Sequence, residues 1–330
     1  MRELTGLDPQ ALPDELLRST QPAVIRGLVG QWPAVKANAG PGGLSAYLRR
    51  YTCGATVGAW FGPPEIEGRF GYNEDFTGFN FAREKVTFES ILDALEHHRS
   101  NDRPPAIYVG STTVDTCLPG FRSENDLGLA HLEPLVSLWI GNRARVAAHH
   151  DLPDNLACVI AGHRRFTLLP PDEVGNLYIG PLENTLAGQP TSLVDFKNPD
   201  LARFPKFAQA MRRAQVAELG PGDAIFIPSM WWHHVEATDS FNALVNYWWR
   251  QSPSDMDSPT AALLLAIMSV RDLPPAQRDA WRSLFDHYVF DADATTAEHL
   301  PPAARQVLAA PLDSNAIRAL RARLIRRLNR

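Results

Sequence analysis

The residues richest in chemistry are His149-His150-Asp151 and, far downstream, Trp231-Trp232-His233-His234. Together they can offer one metal ion two imidazoles and one carboxylate. That set leaves coordination positions open, so a bidentate cosubstrate and dioxygen can join the protein ligands on iron(II). In extended chain, side chains two residues apart share a face, so His149 and Asp151 converge while His150 points away. A third ligand has to come from a distant strand, and His233 or His234 qualifies. Adjacent residues face opposite ways, so only one of the two reaches the metal. A hard carboxylate with two imidazoles favours iron(II), while hydrolytic zinc uses the same set. A lone His-x-Asp triplet arises often by chance, so its surroundings decide. His150 and His234 read as supporting or packing residues and His163 as a solvent-facing turn residue. His97, His98, His131, His287 and His299 show no ligand spacing with the triad.

A cosubstrate with a distal carboxylate needs a cation inside the fold. Arg164 follows Gly162-His163 at the start of a strand, and a guanidinium grips a carboxylate through two hydrogen bonds. Arg165 faces the opposite side of that strand, where a solvated charge is expected. Tyr108, in Ala106-Ile107-Tyr108-Val109, can add a phenol to the same carboxylate or simply pack in its strand. Asn155 and Asn246 lie in apolar strand contexts, where a buried amide requires partners from a ligand or from the sheet. The pairs Trp231-Trp232 and Trp248-Trp249 read as core and rim aromatics, one of which can line a substrate entrance.

These side chains need elements to position them. Val136, Leu138 and Ile140 alternate with Ser137, Trp139 and Gly141, which predicts a strand with one packed face. Residues 156–161 and 164–169 flank Gly162-His163 as in a two-residue hairpin, and Pro170-Pro171 stops the second strand. Pro221-Gly222-Asp223 marks a tight turn before a strand at 224–227, and 242–249 makes a last long strand. Strands are also expected at 23–26, and helices near 44–51 and 88–97. Many short strands separated by turns, without helices between them, predict a jelly roll or barrel and exclude a parallel α/β sheet. The chain therefore reads as mainly β with flanking helices: residues 1–250 form the jelly-roll domain with a mixed amino-terminal portion, and 251–330 form a helical region. Helical patterning there covers 261–268, 278–288 and 315–328.

Composition narrows the functional classes. The chain has 330 residues, 45% hydrophobic and 21% charged, which suits a soluble globular protein with a sizeable core. A formal net charge of −5 argues against a surface built for nucleic acid. Cys53, Cys117 and Cys158 are few, widely spaced and odd in number, so neither a disulfide framework nor a zinc ribbon is indicated and a reducing cytoplasm fits. No apolar run is long enough for a signal sequence or a membrane span. The last helix is basic through Arg318, Arg321, Arg323, Arg326, Arg327 and Arg330, with Ile317, Leu320, Leu324 and Leu328 as an apolar stripe. It reads as a packing helix with a solvated basic face.

With these residues in hand, the chain resembles the JmjC and cupin-like family of iron(II)- and 2-oxoglutarate-dependent oxygenases, and within it the asparaginyl hydroxylases. The resemblance spans roughly residues 20–250. It runs in order through His149-His150-Asp151 with Asn155, Gly162-His163-Arg164-Arg165-Phe166, Leu169-Pro170-Pro171 and Val194-Asp195-Phe196. It continues through Pro221-Gly222-Asp223, Trp231-Trp232-His233-His234 and Val245-Asn246-Tyr247-Trp248. The resemblance implies that His233 is the third ligand beside His149 and Asp151. It also implies a 2-oxoglutarate pocket with its cation at Arg164, a tyrosine at Tyr108 and asparagines at Asn155 and Asn246. The implied reaction hydroxylates a protein or peptide side chain, or a small molecule, with succinate and carbon dioxide as co-products. Arginine stands where the family relative has lysine, Val146 replaces a threonine that helps bind 2-oxoglutarate, and Pro190 and Thr191 replace an arginine and a glutamine. A homodimer through the carboxy-terminal helices is also implied. The rival readings are a non-enzymatic metal-binding cupin that senses a small molecule, and an interaction protein whose aromatic groove holds a peptide.

Overall fold

The computed structural model describes residues 1–253 and 255–329. The chain divides into two compact units, Met1–Gln251 and Ser252–Arg330. In the first, β1 (Arg2–Thr5), β2 (Ala23–Arg26), β3 (Thr56–Gly62), β4 (Arg69–Phe70), β5 (Ala82–Thr87) and β6 (Ala106–Thr113) precede the central strands. Those are β7 (Leu135–Gly141), β8 (Ala144–His149), β9 (Asp154–Ala161) and β10 (Arg164–Leu169), then β11 (Gln215–Leu219), β12 (Ala224–Ile227), β13 (Trp232–Ala237) and β14 (Asn242–Trp249).

These eight central strands form a jelly roll, as expected. One sheet has the order β1-β2-β12-β9-β14-β7-β6-β3-β5, and the other β11-β10-β13-β8-β4. Every pairing within the central eight is antiparallel. Apolar side chains of both sheets, among them Ala157, Val159, Phe166, Leu168 and Leu244, meet between them. The large sheet is covered outside as well. The helix Phe88–His97, capped by the Thr87 side chain accepting from the Ser90 N–H, buries Phe88, Ile91, Leu92 and Leu95 in the same cluster as Val136, Leu138 and Ile140.

Two local expectations need correction. The alternation in β7 predicts one packed face, yet Ser137 is fully buried and Trp139 half-buried, because helices lie on one side and the second sheet on the other. Gly162-His163 is not a hairpin turn. β9 pairs with β12 and β14, whereas β10 pairs with β11 and β13, so the chain crosses from one sheet to the other at this corner. Gly162 has φ +68°, and a Cβ there would lie 2.2 Å from the Asn242 side-chain oxygen, so glycine makes the corner passable.

The second unit is helical: Pro259–Ser269, Pro275–Phe285 running on through a wider turn at Asp286–Phe290, Pro302–Arg305, and Ser314–Leu328. Ser258 and Asp313 cap the first and last of these with their side chains. Among the described residues of this unit only Ala297 is buried, while Leu263, Met268, Trp281, Leu284, Val289 and Phe290 are exposed. Arg330 of the basic stripe lies outside the described residues. No described helix is long and apolar enough to cross a membrane.

Candidate metal centre

β8 delivers His149 through an irregularity that its sequence does not announce. Its register with β13 pairs His149 with His233 but Val146 with Val235, so β8 carries one extra residue between them. This is a β-bulge, and it changes side-chain parity. Val146 and His149, three apart, consequently both face the space between the sheets. The strand ends at His149, and Asp151 sits just beyond it.

One ligand atom each from His149, Asp151 and His233 lies within 4.8 Å of the others. The two imidazole centroids are 4.3 Å apart, and His233 Nε2 is 3.5 Å from Asp151 Oδ2. Each ring is oriented by a backbone carbonyl: His149 Nδ1 is 2.9 Å from the Ala147 oxygen and His233 Nδ1 is 3.0 Å from the Trp231 oxygen. A carbonyl only accepts, so each Nδ1 carries the proton and each Nε2 keeps its lone pair for a cation. Ala147 belongs to the bulged stretch, which both aims the ring and fixes its tautomer. Burial, reinforced by the nearby His149, lowers the His233 pKa to about 4, so the imidazole stays neutral as a metal ligand must.

The neighbouring histidines take other roles. His150 meets the Trp232 ring edge-to-face at 4.7 Å, and burial lowers its pKa. His234 lies 4.6 Å from the Phe196 ring on the opposite face of β13, with Nε2 3.6 Å from Glu236. The adjacent imidazole holds that carboxylate below its ordinary range. His163 is exposed and 3.0 Å from Asp239.

The triad opens into a cavity that also receives Arg164, Tyr108, Asn155 and Asn246. Arg164 is only 5% exposed. Its guanidinium donates to the Trp139 carbonyl at 3.3 Å, its Nε has no partner, and no carboxylate pairs with it among the described residues. Burial lowers its pKa to about 10, so it remains charged near neutrality. Burial also raises the Tyr108 pKa, keeping the phenol protonated as a donor. Arg165, its alternative, is exposed. Trp139 Nε1 donates to Asn246 at 2.7 Å, and the Asn246 amide donates to Asn155 at 3.2 Å, so the two asparagines form one chain along the wall. Val146 lines this cavity too.

The donor set fits an open-sided divalent cation: two neutral imidazoles with free Nε2 atoms and one carboxylate, inside a cavity rather than closed over by a fourth protein ligand. Arg164, which has no counter-charge among the described residues, fits an anionic ligand beside it.

Several residues that shape the site carry no sequence signal of their own. Trp139 links Arg164 and Asn246, Ala147 orients His149, and Asp154 accepts from the Ser229 N–H at 2.9 Å and the Gln251 amide at 2.7 Å. The Trp139 interactions follow from its inward position on β7, but the bulge carbonyl and the Ser229 contact belong to the backbone, which residue types do not reveal.

Fold and site together define a jelly-roll protein with a two-histidine, one-carboxylate centre. The Cupin-like domain family matches residues 9–255, and the chain belongs to this cupin-like JmjC family. Lysine-specific demethylase 8 of Xenopus tropicalis is 28% identical over 244 residues, 72% of this chain and 49% of its own length. The Homo sapiens bifunctional peptidase and (3S)-lysyl hydroxylase JMJD7 is 26% identical over 260 residues, 69% of this chain and 77% of its own. Homo sapiens tRNA wybutosine-synthesizing protein 5 is 32% identical over 161 residues, 44% of this chain and 45% of its own. The chain spans about half or less of the length of the demethylase relatives it matches.

Proposed function

We propose that this protein is an iron(II)- and 2-oxoglutarate-dependent oxygenase that hydroxylates a C–H bond of a protein or peptide side chain or of a small molecule. The observation that carries this reading is Arg164, a buried guanidinium with no carboxylate partner among the described residues, sharing one cavity with three groups able to hold a metal. A buried cation without a counter-charge is costly, and a dianionic cosubstrate reaching from metal to guanidinium compensates it. His149, Asp151 and His233 would hold iron(II). Arg164, with the Tyr108 phenol, would take the distal carboxylate of 2-oxoglutarate, and Asn155 and Asn246 would line its side. When bound, the iron with 2-oxoglutarate and dioxygen supplies an oxidant strong enough for a C–H bond, with succinate and carbon dioxide as co-products. The protein's part is to place the substrate bond against that centre and keep the cavity dry. The hydroxylase and demethylase names of relatives support an oxidative reading.

The test is succinate release from 2-oxoglutarate with iron(II) and ascorbate, alongside 2-oxoglutarate binding in the manganese-loaded protein. Succinate that disappears in Asp151→Ala supports the reading. Turnover in iron-loaded Asp151→Ala equal to the parent would overturn it. Metal retention with no 2-oxoglutarate binding would favour the non-enzymatic cupin.

We also infer that the helical unit pairs with a second copy. Its apolar residues are exposed and only Ala297 is buried among those described, which is too little core for 79 residues to stand alone. Removing residues 311–330 should lower the solution mass, and an unchanged mass counts against the pairing. The free cysteines Cys53, Cys117 and Cys158 suit a reducing cytoplasm.

A further inference from the structure

Beside the inner cavity lies a vestibule of about 320 Å³ that shares His149 and Asp151 as its floor. Its wall is a run of aromatic rings. Phe70 meets Trp60 at 5.6 Å, Trp60 meets Tyr108 at 5.5 Å, Tyr108 meets Trp139 at 6.2 Å, and Trp139 meets Trp248 edge-to-face at 5.5 Å. Leu186 and Pro153 complete the apolar lining, while Ser111, Gln189 and Thr191 offer neutral polar groups. Asp151 is the only acidic group lining this space among the described residues, and no lysine or arginine lines it.

A cation stands beside this wall. Arg83 lies opposite Trp60 in the β3–β5 pairing, with its guanidinium carbon 5.5 Å from the Trp60 centroid and 4.5 Å from that of Phe79. It donates to the carbonyl of Leu186, which lines the vestibule, and no carboxylate pairs with it among the described residues. Of the aromatic rings in this wall, Trp60 is thus already occupied by Arg83 and stacked on Phe81 at 4.5 Å.

We propose that the vestibule selects an uncharged aromatic side chain of a polypeptide and rejects lysine. The inference rests on the function proposed above, because the charge at the floor depends on what the floor holds. A divalent metal, the Asp151 carboxylate, the Arg164 guanidinium and a 2-oxoglutarate dianion sum to zero. A substrate ammonium entering this space loses its water, finds no free carboxylate, and approaches Arg83. An aromatic ring loses no charge solvation and gains edge-to-face and offset contacts with Trp60, Tyr108, Trp139 and Trp248. Lysine therefore fits poorly here, although relatives carry lysyl names.

The experiment titrates N-acetyl-tryptophanamide and N-acetyl-lysinamide into the full chain loaded with manganese(II) and 2-oxoglutarate, read by ligand-observed NMR. The aromatic probe is expected to bind at least about tenfold more tightly, since an uncompensated buried charge costs more than 1.4 kcal/mol. Ser111→Asp places a carboxylate on the vestibule wall and should narrow that ratio. Equal affinities, or tighter lysinamide binding in the parent, would overturn the proposal, as would a ratio unmoved by Ser111→Asp. Binding of 2-oxoglutarate is measured separately in the same sample. Its absence alongside a retained aromatic preference rejects the oxygenase reading while leaving the vestibule's selectivity standing.

Discussion

The backbone N–H of Ser229 donates to Oδ1 of Asp154 at 2.9 Å, which fastens the turn entering β13 to the loop that carries Asp151. Two further bonds share this clamp: the Ser229 hydroxyl donates to the Leu152 carbonyl at 2.6 Å, and the Met230 N–H donates to the Asp151 carbonyl at 2.9 Å. Met230 adopts φ +68°, a conformation unusual for a side chain of its kind, and the turn is held in it by these contacts. His233 and Asp151 come from distant parts of the chain, so their separation depends on this junction.

Asp154→Ala should therefore loosen the metal centre without touching a ligand. The Ser229 N–H and the Gln251 amide lose their acceptor, and the two ligand-bearing segments gain freedom. Affinity for cobalt(II) should fall by about tenfold, the lower end of what supporting hydrogen bonds contribute. Asp154→Asn keeps one acceptor oxygen and should fall less. Cobalt titration followed by its visible spectrum checks both, and an Asp154→Ala protein that binds as tightly as the parent rules the clamp out.

Arg164→Met should separate stability from function. Removing an uncompensated buried guanidinium relieves its desolvation, so the metal-free, 2-oxoglutarate-free protein should melt higher by about 2–4 °C, what roughly 1 kcal/mol gives in a domain of this size. Binding of 2-oxoglutarate to the manganese-loaded protein should weaken by about two orders of magnitude, as a charge-assisted bidentate contact is lost. Differential scanning fluorimetry and calorimetric titration read the two effects. A lower melting temperature in the ligand-free variant would mean that Arg164 is paired in a way that the cavity does not reveal.

Parity in extended chain pointed to His149 with Asp151 and to only one of His233 and His234, and the resemblance selected His233; in the fold His233 faces the cavity while His234 packs on Phe196. The jelly roll was readable from short strands set off by turns such as Pro221-Gly222-Asp223. The corner at Gly162-His163 was misread because a glycine turn between two apolar runs looks alike whether the chain reverses within one sheet or passes to the other. The bulge before His149 was invisible, since Ala147 and Ala148 carry neither glycine nor proline to mark it. Trp60, Phe70 and Leu186 join the vestibule from segments whose sequence gives no sign of convergence, because that depends on tertiary packing.

Val146 tests how far the cosubstrate pocket can be improved. It faces the cavity that holds Arg164 and Tyr108, and its methyl groups offer no hydrogen bond there. Val146→Thr keeps the shape and adds one hydroxyl, which should lower the KM for 2-oxoglutarate by about three- to tenfold if the hydroxyl reaches the carboxylate, the range of one net hydrogen bond. Steady-state succinate release at varied 2-oxoglutarate checks this. A raised KM with a lower melting temperature would show that the hydroxyl is buried without a partner.

The metal-free protein should lose stability as the pH falls from about 6.5 towards 4. Burial holds the His233 imidazole at a pKa of about 4, whereas its ordinary value is 6.5, so in this window the unfolded chain binds a proton that the folded chain refuses. More protons bound in the unfolded state mean that stability rises with pH; the contribution is constant above about 6.5 and declines below it. His150, whose pKa burial also lowers, adds to the slope in the same direction. His233→Asn removes the larger part of this response, so its melting temperature should vary less with pH between 6.5 and 4.5. Manganese(II), competing for the same Nε2 lone pair, should raise the parent's melting temperature most at the upper end of the window and progressively less as acid displaces it. Thermal unfolding of parent and variant across the window, with and without manganese, reads all of these at once. Identical pH slopes for the two metal-free proteins would show that His233 is not held neutral by its burial.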